Sequence, residues 1–286
     1  MITSMTGFGK SETSILNKKI TVEIRTLNSK NIDLNIRFPN VFKGLEPQLR
    51  GFVSDQLNRG KIDVSVYIET DDGSSNTSSL NKVVVDNYID QLNQIYQGDR
   101  MELLKMAVRL PDALKTEKED LKKEEKEALL SVFSQALLQV NDYRKNEGAA
   151  MEKDFDQRLG VLEKLLKEVI KIDPERKVKV KLKLRNSIEQ LNVEIDQNRL
   201  EQELIYYLEK YDITEEKVRL DNHLSYFKEI MNQDEPNGKK LGFISQEIGR
   251  EVNTIGSKAN HSGLQKIVVQ MKDELEKIKE QLLNVL

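Results

Sequence analysis

No cysteine and no tryptophan occur in the 286 residues, histidine occurs twice and proline five times. Without cysteine there is no disulfide, no thiolate zinc site and no cysteine nucleophile. Any bound metal must therefore be held by oxygen ligands and at most two imidazoles. No apolar run approaches the roughly 20 residues needed to span a bilayer. The opening Met-Ile-Thr-Ser-Met-Thr lacks the charged and apolar stretches of a secretory signal, so a soluble, cytoplasmic chain with no membrane partner is expected. Neither sign of charge dominates: 45 Lys and Arg stand against 48 Asp and Glu, a formal net charge of −3. Attraction to a polyanion must then come from local patches. The length leaves room for one large or two ordinary domains, with a core that needs no staples.

What is present is pattern. Apolar residues alternate at Ile20, Val22 and Ile24, at Ile32, Leu34, Ile36 and Phe38, and at Ile62, Val64, Val66 and Ile68, so each set lies on one face of a strand. Between the second and third sets, Leu45, Leu49, Phe52, Val53 and Leu57 recur at helical spacing, with Pro47 near the helix start, where a missing N–H does no harm. A helix laid on a small sheet is predicted, with Phe8 and Phe38 in its core. Residues 71–79 read as a loop. Beyond Leu80 the period is helical: Val84, Tyr88, Leu92 and Ile95, then Leu129, Phe133, Leu137 and Val140. After Asn146-Glu-Gly148 come two charged segments, 149–172 and 175–198, split at Asp173-Pro174. Their thin seam of Leu159, Leu162, Leu166, Val169, Leu184, Ile188 and Leu191 predicts an extended arm, with the lysines of 177–183 on a solvated face. A last stripe over 263–284, from Leu264 and Ile267 to Leu282, packs on the preceding helices or on a neighbouring subunit. The expected fold is α+β: a small N-terminal sheet-plus-helix domain (1–148), a helical arm (149–198) and an all-α C-terminal domain (199–286).

Chemistry concentrates near the C-terminus. Glu247 and Glu251 lie four apart in a segment whose Leu241, Ile244, Ile248, Val252 and Ile255 form an apolar stripe. Neighbours at i and i+4 can hold a metal together, or can form a solvated acidic edge; both readings are open. The segment before it begins with Asp212 and Glu215 in capping-box spacing and places Glu216, Arg219 and His223 on one side. Glu216 and His223 are separated by about 10 Å along the axis, too far for one ion from this helix alone. His223 therefore meets Glu247 and Glu251 across a helix contact or is a structural imidazole. His261 has no helical motif around it and reads as a surface residue.

Several ordered stretches resemble a known family. Asn198-Arg-Leu-Glu-Gln-Glu203, Asp212-Ile-Thr-Glu-Glu-Lys-Val-Arg-Leu-Asp-Asn-His223 and Gln246-Glu-Ile-Gly-Arg-Glu-Val-Asn-Thr-Ile-Gly-Ser-Lys258 resemble the C-terminal motifs of the YicC/YloC endoribonucleases. Met1-Ile-Thr-Ser-Met-Thr-Gly-Phe8, Glu23-Ile-Arg-Thr-Leu-Asn-Ser-Lys30 and Leu57-Asn-Arg-Gly-Lys61 resemble the amino-terminal signatures. The likeness thus runs along nearly the whole chain. It departs at Gly242, where the family carries Asp, at Gly249, where it carries Asn, and at the final Asn284-Val-Leu286, where it tends to end on an acidic residue.

The resemblance implies a metal-dependent endoribonuclease that cleaves single-stranded or structured RNA as a ring-like homo-oligomer, a hexamer. A divalent ion supplies an activated oxygen nucleophile and relieves charge on a phosphodiester. Carboxylate ligation suits Mg²⁺ or Mn²⁺, and an imidazole favours Mn²⁺. On this reading His223, Glu247 and Glu251 are metal ligands, and Glu216, Glu247, Glu251 and Arg250 form the catalytic set. RNA contacts fall to Arg219 and Lys258 and to Arg25, Lys30, Arg59 and Lys61 in the N-terminal unit, near Asn28 and Arg37. Two alternatives from other classes remain: a non-catalytic RNA-binding adaptor, and a scaffold whose arms bind only protein.

Overall fold

The computed structural model describes residues 2–15, 17–57, 59–70, 79–115, 121–189, 197–233 and 235–286. Strands β1 (Gly7–Ile15), β2 (Lys18–Leu27), β3 (Ile32–Arg37) and β4 (Gly60–Thr70) form a sheet in the order β1-β2-β4-β3. β1 and β4 are antiparallel to β2, whereas β3 is parallel to β4. A parallel neighbour demands a crossover, and α1 (Glu46–Gln56) supplies it. The alternation is realised as expected: Ile20, Val22, Ile24, Ile62, Val64 and Val66 are buried against Leu49 and Val53 of α1. β5 (Ser79–Leu80), α2 (Lys82–Ile95), α3 (Arg100–Ala107) and β6 (Leu114–Lys115) form a satellite around Val85, Ala107 and Ala113. Most of the loop expected at 71–79 lies outside the described residues, as do Leu191 and the side chains of Leu184 and Ile188.

A second helix closes the sheet, and it is the spine of the molecule. α4 (Lys123–Glu189) runs for 67 residues, about 100 Å at 1.5 Å per residue. Its first part sets Leu129, Phe133, Ala136 and Val140 on the sheet. β1 permits this because its inward positions are small. A side chain at Gly9 would lie 2.2 Å from the Ala136 carbonyl oxygen, so the helix backbone rests directly on the strand.

The helix continues through Gly148 and Pro174, where the sequence suggested breaks. Residues 149–172 are not a free arm. Met151, Phe155, Leu159, Leu162, Leu165, Leu166 and Val169 are core residues shared with α6 (Thr214–Met231), α7 (Gly238–Lys258) and α8 (Ser262–Leu282). The thin seam widens because Met151, Phe155 and Leu165 join it, and Phe155 meets Phe227 of α6 edge-on at 6.0 Å between centroids. α5 (Gln197–Lys210) lies between the distal part of α4 and α6 in the chain.

The two ends of the chain knit the halves together. The Met5 N–H donates to the Asn284 carbonyl at 2.8 Å, the Leu286 N–H to Thr3 at 3.0 Å, and the Gly238 N–H to Leu286 at 2.8 Å. Val285, 2 % exposed, joins the helical core, so an apolar ending here serves packing.

Candidate active site

α6 and α7 are antiparallel neighbours in sequence order, joined by the short connection 232–237. α7 turns Leu241, Ile244, Ile248, Val252 and Ile255 inward, and Glu251 sits at the margin of that stripe, 8 % exposed. Across the contact, Glu216 occupies the first turn of α6 and is 6 % exposed. A helix amino terminus carries partial positive charge, which favours a carboxylate there.

The pair is electrostatically strained. Glu216 Oε1 accepts a hydrogen bond from Lys258 Nζ at 2.7 Å, while Oε2 is the one fully buried side-chain polar atom without a partner among the described residues. Burial is the largest influence on Glu251 and pushes its carboxyl above the usual range. The charges of Glu216 and Glu215 push the same way, and those of Arg219 and His223 oppose them. Arg219 lies 4.0 Å from Glu251 but is committed to Glu215 at 2.5 Å. Two buried carboxylates, an imidazole, a lysine and an arginine thus share one edge. An unfilled carboxylate lone pair beside a second desolvated carboxylate is a place for a cation.

The structure separates residues that the sequence grouped. Glu247 is turned to the flank of α7, 40 % exposed in its side chain, and pairs with Arg250 at 2.5 Å. One helical turn therefore holds a buried and a solvated glutamate. His223 is half-buried on α6. Among the described residues no three His, Asp or Glu side chains gather closely enough to hold a metal ion by themselves. The capping box expected from Asp212 and Glu215 is not formed. The Asp212 carboxylate accepts from the Thr214 N–H at 3.3 Å and hydroxyl at 2.8 Å, but Glu215 turns to Arg219 instead of reaching back. Although partial burial resists ionisation of Asp212, bonds from Lys177 and Thr214 hold its carboxyl down at about 2.

The N-terminal basic residues lie on or beside the sheet. Arg25 is exposed on β2, 3.4 Å from Glu23 and 5.6 Å above the ring of Phe8. Phe8, expected in the core, is 41 % exposed on the outer face, because the inward positions of β1 belong to Gly7, Gly9 and Ser11. Phe38 does pack against the core. Lys61 and Lys30 are exposed, whereas Arg59 donates to the Ser29 carbonyl at 2.8 Å and braces the loop before β3. Asn28 donates to the Leu283 carbonyl at 2.6 Å and ties that loop to the end of α8. Acidic neighbours on the outer face, Glu12, Glu23 and Asp63, offset its cations.

Sequence reasoning missed the support behind the site. Arg176, 1 % exposed, donates to Asp173 Oδ1 at 2.7 and 2.9 Å, to the Tyr211 carbonyl at 2.8 Å and to the Lys258 carbonyl at 3.4 Å. Asp173 also accepts from Lys217 Nζ at 2.7 Å. Burial opposes its ionisation, yet these bonds hold its carboxyl below the usual range. The network fastens α4 to the start of α6 and the end of α7, the two elements that carry Glu216 and Lys258. The available signal was Asp173-Pro174 inside a charged helix, which reads as a break. His261, expected at the surface, is half-buried and caps α8, its Nδ1 accepting from the Leu264 N–H at 3.3 Å.

The fold, a small sheet and a helical unit on one spine helix with a buried carboxylate pair, defines the class. Residues 2–153 match the family described as Endoribonuclease YicC-like, N-terminal region, and residues 169–286 match Endoribonuclease YicC-like, C-terminal. The chain belongs to the YicC-like family. It is 34% identical to the probable endoribonuclease YicC of Clostridioides difficile (strain 630) over the whole of both chains. It is 30% identical to the probable endoribonuclease YicC of Haemophilus influenzae, again over the whole of both.

Proposed function

We propose that the chain is a divalent-metal-dependent endoribonuclease whose reacting phosphodiester lies at the Glu216–Glu251 edge. Two full-length relatives bear the name probable endoribonuclease, which supports RNA as substrate. The observation that carries the site is the unpartnered, buried Oε2 of Glu216 beside the desolvated carboxylate of Glu251. This donor set fits a hard cation that keeps several of its own waters and takes only one or two protein carboxylates. It would be held by Glu216 and Glu251, with His223 near enough to favour Mn²⁺ over Mg²⁺. When bound, the ion supplies a nucleophilic oxygen at neutral pH and Lewis-acid relief of phosphoryl charge.

The chain's own residues do the rest. Lys258 holds Glu216 in place and keeps one of its oxygens occupied. Arg219, paired on one side by exposed Glu215, presents a planar fork suited to a phosphate. Glu247 and Arg250 form a flanking ion pair, and their part is contact with the RNA backbone beside the reacting group. Arg25, Lys30 and Lys61 follow the RNA backbone farther away, with salt-sensitive and weakly sequence-specific contacts. Copies of the chain assemble into a homo-oligomer. The test is a labelled RNA incubated with purified protein under Mn²⁺, Mg²⁺ and chelator. Internal cutting that requires metal, fastest in Mn²⁺, is expected, and cutting unimpaired by chelator overturns the metal. Binding without cutting in any metal instead favours the adaptor, the reading that the lack of a three-ligand cluster among the described residues supports.

A further inference from the structure

We propose that Phe8 and Arg25, on the open face of the N-terminal sheet, form a stacking site for an unpaired RNA base. The inference rests on RNA being the substrate and adds which form of RNA is held there. Both helices that pack on the sheet, α1 and α4, take its inner face, and Phe8 on the other face is 41 % exposed. β1 has no room to turn that ring inward, because a side chain at Gly9 would run into the Ala136 carbonyl oxygen and one at Gly7 would press on Thr26, Val140 and Arg144. Phe8 is therefore held outward on a fixed strand. Arg25, its cross-strand partner, sets its guanidinium 5.6 Å from the ring centroid. An exposed ring beside a planar cation suits any base, since every base has a face to stack.

Charge on this face is sorted by depth and by end. In the three cross-strand rows around Phe8, the side chains of Lys10, Arg25, Arg37 and Lys61 are exposed, against Asp33 as the exposed acid. The other two acids lie lower: the Glu23 side chain is 20 % exposed between Lys10 at 48 % and Arg25 at 67 %, and Asp63 is half-buried and accepts from Asn35 at 3.1 Å. A phosphate approaching from solvent meets the cations first. The far end of the face differs, for Tyr67 is exposed there in company with the exposed acids Glu12 and Glu69. It lies about 17 Å from Phe8, two strands across and four residues along. Of these two rings only Phe8 has cations around it. Bases inside a duplex already have both faces stacked, so the site selects single strands, loops and ends. Lys10 and Lys61, in the rows on either side of Phe8, then meet the flanking phosphates.

A labelled, unstructured oligoribonucleotide and the same strand in a duplex are titrated with the full chain under chelator, so that binding is read without cutting. The single strand is expected to bind more tightly. Phe8→Leu, an exposed exchange that should leave Tm unchanged, should weaken its binding about fivefold or more, while Tyr67→Leu leaves it unchanged. Arg25→Gln should weaken it and reduce the slope of log affinity against log salt by about one. The chain has no tryptophan, so Phe8→Trp places its sole indole in the site, and the single strand should quench that emission where the duplex does not. Wild-type affinity in Phe8→Leu, or equal quenching by duplex and single strand, overturns the site and leaves RNA as the substrate. A lower mass for Phe8→Leu in light scattering, with its RNA affinity intact, also overturns it and assigns the ring to contact between copies. No binding of either RNA by the wild type overturns both this inference and the reading on which it rests.

Discussion

Glu251 is held where its charge is disfavoured, and that gives a pH-dependent prediction. Its folded-state carboxyl lies above the usual range, chiefly through burial, so the folded chain binds its proton more tightly than the unfolded chain does. Its contribution to stability is present below the ordinary carboxylate range and is lost as pH rises through the raised value. Glu251→Gln should therefore unfold at a higher temperature than the wild type at pH 7, and the difference should vanish below about pH 4. Thermal melts across that range check it, and a variant less stable at pH 7 contradicts it. Lys258→Met should act oppositely, since it leaves Glu216 buried with no cation on either oxygen. Its melting temperature should fall, and Glu216→Gln in the same chain should restore it. Gly242, where the motif resemblance leads one to expect Asp, has open space around the position of a side chain and lies about 13 Å along the helix axis from Glu251. A carboxylate placed there would be no part of the Glu216–Glu251 pair.

Among the elements, α4 does most to place the site, through a buried ionic network and two close backbone approaches. Removing one partner of a buried ion pair costs about 3–5 kcal/mol, so Asp173→Ala should lower the unfolding free energy by that order in denaturant melts. A loss below 1 kcal/mol would mean that Arg176 finds its charge balance elsewhere. Gly148→Ala would bring a methyl within 2.0 Å of the Ile2 carbonyl oxygen. It should cost about 1–3 kcal/mol by displacing the segment before β1 that the tail clasps. Strand alternation at Ile20, Val22 and Ile24 and the α7 stripe were legible because each element buries one face at its own period. The continuity of α4 was not, since Asp173-Pro174 is locally a helix stop, whereas the bonds of Asp173 to Lys217 and of Arg176 to the Tyr211 and Lys258 carbonyls are tertiary. Nor could spacing distinguish Glu247 from Glu251. Both lie on the same helix side, and which one is buried depends on where α6 crosses.

At the scale of the molecule, the termini lock the sheet unit to the helical unit, so the basic sheet residues and the carboxylate pair belong to one body. Exposed apolar side chains on the distal part of α4 and on α5, among them Val178, Leu182 and Ile205, are unfavourable in water and suit contact between copies. Light scattering should return a mass several times the 33.0 kDa of one chain, and a monomer at working concentration rejects the assembly. The pattern of cleavage among three glutamate variants tests the central claim most directly. With labelled RNA and saturating Mn²⁺, Glu216→Gln and Glu251→Gln should each cut at least about 100-fold more slowly than the wild type, while Glu247→Gln, on the solvated flank, stays within a few-fold. Wild-type rates from Glu216→Gln and Glu251→Gln, with loss in Glu247→Gln, would contradict the account.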